Sequence, residues 1–190
     1  MPYFYKSLRT FTEGNSPTLN QASLTIKIDY LYFMKNSVPS YTLEEAKEKL
    51  ERYCTYQERS HKQVEEQLYK MRMIPQAQEV IITHLIQHNF LNESRFAQAY
   101  SRGKFRIKKW GRKRITQGLK QHGVSVYNIK LGLAQIEPDA YRETFDELVK
   151  KRLNELSNET NLSKKKRKLF DYLAYRGWET ELIYEALLLA

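Results

Sequence analysis

Residues 115–124 read ITQGLKQHGV, and the same arrangement occurs twice more: VEEQLYKMRM from Val64 and LFDYLAYRGW from Leu169. Each copy has an apolar residue, a leucine four positions later (Leu68, Leu119, Leu173) and an apolar residue closing the turn (Met73, Val124, Trp178). The i, i+4 spacing puts the first two on one helix face. Gly123 and Gly177 precede the closing residue. A helix commonly ends there in a left-handed residue, which glycine adopts without steric cost. The first copy has Arg72 instead, so its turn differs or carries about 1–2 kcal/mol of strain. The copies begin 51 and 54 residues apart, a spacing that predicts one small helical unit used in tandem.

Start signals mark further helices. Thr42 and Glu45 form a capping-box pair, Ser60 and Asn92 stand at N-cap positions, and Pro75 and Pro138 open helical patterns. Helical segments are predicted near 42–58, 60–72, 76–89, 93–109, 111–122, 125–135, 138–156, 163–176 and 179–189. The expected fold is all-α, an elongated, curved array of three tandem three-helix repeats at 41–91, 92–136 and 137–190. Residues 1–40 read differently. EGNSPTLNQ is loop-like, and Leu24, Ile26, Ile28, Tyr30 and Tyr32 alternate as in a strand. Met34 offers an alternative start, which would make residues 1–33 a dispensable extension.

The chain has 190 residues, 41% of them hydrophobic, and 14 tyrosines, enough to bury a core. Its one cysteine, Cys54, can make no internal disulfide and no CxxC metal site, in keeping with a reducing cytoplasm. No apolar run reaches membrane-spanning length, and the N-terminal stretch LTIKIDYLYFM is broken by Lys27 and Asp29, unlike a signal peptide. The net charge of +10 is concentrated: residues 91–135 hold eleven Lys and Arg against one acid, while 41–90 and 136–190 each come to −1. Such a block attracts polyanions, unless acidic helices on either side fold back over it.

Within the block, Phe96, Tyr100, Gly103 and Ile107 are expected to face the core. Arg95, Arg102, Arg106 and Lys109 fall within about 60° of one another on a different face. They lead into Trp110, Gly111 and the cations Arg112, Lys113 and Arg114. Gly111 is expected to break the helix, so that the next begins with three cations and free backbone N–H groups open to an anion. Trp110 either stacks on a base or closes the junction between repeats. His84 and His88 have the i, i+4 spacing of metal ligands, but no matching acid or cysteine accompanies them. LSKKKRKLF at 162–170 is a second cationic knot, balanced by nearby acids. No nucleophile motif, Gly-rich phosphate loop or cofactor motif is present, so neither catalysis nor a cofactor is expected.

LNESRFAQAYSRGKF (91–105), GRKRITQGLKQHGV (111–124) and LFDYLAYRGWETELI (169–183) together resemble the RecX family, regulators of the RecA recombinase. The likeness covers roughly 42–190. Asn92 departs from the family's usual acid, and residues 1–40 have no counterpart. The resemblance implies three tandem three-helix repeats and a non-enzymatic protein acting in recombination and DNA repair. Its partners would be the RecA filament and single- and double-stranded DNA, with no membrane, and it would act as a monomer. It also implies restraint of RecA's ATP hydrolysis, strand exchange and co-protease action. Arg176, in the closing Arg-Gly-Trp run, joins the candidate contact residues. The rival readings are a stand-alone nucleic-acid-binding protein using the basic repeat, and an enzyme with a metal at His84 and His88.

Overall fold

The computed structural model describes residues 41–188; the strand expected at 24–32 and the alternative start at Met34 lie outside them. The described residues form nine helices and no strand: α1 Leu43–Tyr56, α2 His61–Lys70, α3 Pro75–Gln87, α4 Glu93–Lys108, α5 Arg112–Gln121, α6 Val126–Leu133, α7 Pro138–Glu155, α8 Leu162–Tyr175 and α9 Thr180–Leu187.

Local chemistry accounts for the starts. Thr42 and Glu45 complete a capping box, as do Ser60 and Gln63. The Asn92 side chain accepts from the Arg95 N–H at 3.0 Å. Pro75 and Pro138 occupy first-turn positions, where a missing N–H costs nothing. The repeated turn has one geometry throughout. Gly123 and Gly177 have φ of +75° and +76°, and Arg72 adopts φ 56°. The first copy therefore keeps the turn and accepts the left-handed strain.

The apolar faces gather into two cores. α1–α3 enclose Ala46, Leu50, Val64, Leu68, Ile81 and Leu85 among others. α4–α9 share a second core, which runs from Phe96 and Ala97 through Ile115, Leu119 and Phe145 to Leu173, Trp178 and Ile183. The helices thus form a tandem three-helix array in which the last two units are fused through common packing.

The core face of α4 differs from the expected one. Phe96, Ala97, Ser101 and Phe105 are buried, while Ile107 is 76% exposed. The reason lies in α6. A Cβ at Gly132 would stand 2.7 Å from the Ala97 carbonyl oxygen and 2.9 Å from Ser101 Oγ. The two helices touch backbone to backbone, and small residues on α4 permit it. That rotates Gly103 and Ile107 away from the core.

Candidate nucleic-acid interface

The cations of the basic block occupy three different settings. On α4, Arg102 and Arg106 are exposed, and no side-chain partner holds either among the described residues. Lys109 follows as the helix cap with φ 53°. These three continue one face of α4 and its end.

Arg95 belongs to the same face by spacing but is engaged. Its Nε donates to Glu58 Oε1 at 2.8 Å, Nη1 to Asn89 Oδ1 at 2.8 Å and Nη2 to the Asn89 carbonyl at 2.9 Å. It clamps the segment after α1 and the turn after α3 to the start of α4. Lys62 Nζ adds a bond to the Gln121 carbonyl at 3.0 Å. Those two side chains tie the first core's helices to the second's.

The start of α5 is not open to an anion, contrary to the expectation from sequence. The Gly111 N–H donates to the Arg176 carbonyl at 2.9 Å and the Lys113 N–H to the Gly177 carbonyl at 3.1 Å. The Arg112 N–H donates to Tyr141 Oη at 2.9 Å. The amino end of α5 is thus met by the carbonyl end of α8, and each satisfies the other's unpaired groups. The side chains follow suit. Arg114 donates to the Tyr175 carbonyl, Lys113 Nζ donates to Thr180 Oγ1 at 2.8 Å, and the Arg112 guanidinium lies 4.1 Å from the Tyr141 ring centroid. Three cations at a helix start, unfavourable by the macrodipole alone, here meet a carbonyl oxygen, a hydroxyl and an aromatic ring. Arg176 lies 3.8 Å over the Tyr172 ring. Tyr141 donates to Glu179 Oε2 at 2.6 Å, and burial, reinforced by that bond, raises its phenol pKa.

Trp110 is half-buried against the second core, with Arg114 at 4.3 Å and Lys104 at 5.1 Å from its ring. Sequence reasoning missed Lys104 and Tyr175 here, and it assigned Tyr100 to the core stripe alone. Lys104 stands four residues after Tyr100, a spacing that brings the two side chains together on a helix; Tyr175 is reached only through the fold.

His84 Nε2 pairs with Glu51 Oε1 at 2.6 Å, and the His84 and His88 rings lie 4.1 Å apart. No group of three or more His, Cys, Asp or Glu suited to a metal ion occurs among the described residues. No helix among them is long and apolar enough to cross a membrane.

Residues 92–133 match the family model described as RecX, second three-helix domain, and residues 139–187 match RecX, third three-helix domain. The chain is 35% identical over 112 residues to the Regulatory protein RecX of Clostridium acetobutylicum, covering 57% of this chain and 51% of that protein. The match to its namesake in Lactobacillus gasseri covers 48% of the relative, so the chain spans about half the length of these two. With the Regulatory protein RecX of Clostridioides difficile, identity is 27% over 186 residues, 97% of this chain and 81% of the relative, so the match extends into residues 1–40, where no counterpart was expected from the sequence. The crystal structure of RecX from Lactobacillus salivarius superposes with a TM-score of 0.67 at 22% identity, covering 77% of this chain and 94% of that one. A second RecX crystal structure gives 0.69 at 19% identity, covering 94% and 83%. Both share the fold. Through its second and third three-helix domains, the chain belongs to the RecX family of regulatory proteins.

Proposed function

We propose that this protein is a non-enzymatic regulator of RecA that binds the RecA–DNA filament through its basic second repeat and restrains ATP hydrolysis, strand exchange and co-protease action. The reading extends the family's regulatory role. The observation that carries it is the charge block: eleven cations against one acid in residues 91–135, on an array of helices. Arg102, Arg106 and Lys109 serve as the row facing phosphates or acidic side chains. Arg95 orients the first repeat, while Trp110, Arg112, Lys113, Arg114 and Arg176 fix the third repeat against the second. The protein works as a monomer in the cytoplasm.

The test is RecA ATPase on single-stranded DNA with this protein titrated in. A dose-dependent fall is expected, and an unchanged rate at saturating protein would overturn the reading. The rival, a stand-alone nucleic-acid binder, is favoured by the same charge block. Binding measured at one salt concentration separates them: the RecA reading expects tighter binding to RecA-coated DNA than to bare DNA, the rival the reverse.

A further inference from the structure

Around α4, Tyr100 and Lys104 lie roughly opposite the Arg102–Arg106 row, at 100° per residue. From there, rings and cations alternate across the junction of the second and third repeats. Lys104 Nζ is 5.1 Å from the Tyr100 ring and 5.1 Å from the Trp110 ring. The Arg114 guanidinium is 4.3 Å from Trp110 and 4.2 Å from Tyr175. The ladder reads Tyr100, Lys104, Trp110, Arg114, Tyr175, and its last ring is 70% exposed. It borders a cleft of about 470 Å³ lined also by Lys113, Gln117 and Gln121, with no carboxylate in its wall among the described residues.

We infer that this ladder seats single-stranded nucleic acid, with unpaired bases stacking on Tyr175 and Trp110 while Lys104, Lys113 and Arg114 meet the phosphates. Flat π-faces and interleaved cations are what a single strand offers partners for, since its bases expose faces that a duplex hides in its own stack. Gln117 and Gln121 carry both donors and acceptors for base edges. The inference rests on the reading of the second repeat as a polyanion binder and adds a surface distinct from the Arg102–Arg106 row.

The experiment measures binding of an oligothymidylate and of a duplex of equal length at one ionic strength, by titration and by tryptophan fluorescence. Trp178 is 1% exposed, so quenching on binding reports Trp110. The single strand should quench and bind more tightly than the duplex. Tyr175→Ala should weaken the single strand about tenfold and leave the duplex unchanged, and Tyr175→Phe should restore it. Arg102→Glu with Arg106→Glu should weaken the duplex while leaving the quenching by bound single strand intact. If Tyr175→Ala binds the single strand like the parent and no quenching occurs, the ladder only braces the junction, even where charge reversal still weakens binding. If charge reversal does nothing while Tyr175→Ala does, the ladder stands and the cation row is not the binding surface. Binding to neither nucleic acid overturns the assignment outright.

Discussion

Gly123 and Gly177 share a backbone conformation but not a setting. A Cβ at Gly123 meets nothing within 4 Å, whereas one at Gly177 would overlap the backbone and Cβ of Arg114. Gly123→Ala should cost about 1–2 kcal/mol, the left-handed strain alone. Gly177→Ala should cost about 3 kcal/mol or more, because overpacking adds to the strain. Denaturant titration of the two variants reads the difference, and equal losses would mean the α5–α8 contact yields easily. Conversely, Arg72→Gly should stabilise by up to about 1 kcal/mol, since glycine relieves the strain at φ 56°. His122 offers a test by pH. Its ring is half-buried against Phe96 and Tyr100, at 5.3 and 5.5 Å, and burial, then Lys62, lowers its pKa below the ordinary 6.5. The unfolded chain then binds the proton more readily than the folded one. This contribution is complete above about pH 6.5 and is lost as pH falls below it. Thermal midpoints at neutral and mildly acid pH should fall further for the parent than for His122→Gln. Equal falls would show that the imidazole charges freely in the folded protein.

At the scale of elements, the telling pair is α5 and α8. Reversing Arg112, Lys113 and Arg114 to Glu removes the bonds to the Tyr175 carbonyl and Thr180 and puts carboxylates against the carbonyl end of α8. The triple variant should lose roughly 2 kcal/mol or more and melt several degrees lower. A binding defect in it would therefore be ambiguous. Reversing Arg102 and Arg106 is the cleaner variant. Both are exposed and unpaired among the described residues, so stability should hold within about 0.5 kcal/mol. The salt dependence of duplex binding should drop by about 0.9 for each phosphate contact removed. An unchanged slope would place the phosphates elsewhere.

For the whole molecule, two cores imply two units of stability among the described residues. Leu68 and Leu119 are both 0% exposed, one in each core. Each Leu→Ala should cost about 2–5 kcal/mol. Hydrogen exchange should show where. Leu68→Ala should speed exchange in α1–α3 and leave α4–α9 protected, whereas Leu119→Ala should speed exchange in α5 and α8 together. Loss of protection throughout the chain in both variants would mean the Arg95 and Lys62 ties bind the cores into one cooperative unit.

Features under local control were legible along the chain. Capping residues at Thr42, Ser60 and Asn92 set helix starts, because their side chains satisfy N–H groups only two or three residues away. The left-handed turns at Gly123 and Gly177 followed from the repeat, and the charge block needed only counting. The remaining features depend on partners far along the chain. Ala97 and Ser101 form the core face of α4 because Gly132 on α6 comes close, and hydrophobicity carries no record of a backbone contact between small residues. Arg114 and Lys113 look solvated in sequence, yet their partners Tyr175 and Thr180 stand 61 and 67 residues away. A helix start loaded with cations is unfavourable alone and becomes favourable once another helix brings its carbonyl end to it, a juxtaposition that packing creates and no local pattern encodes.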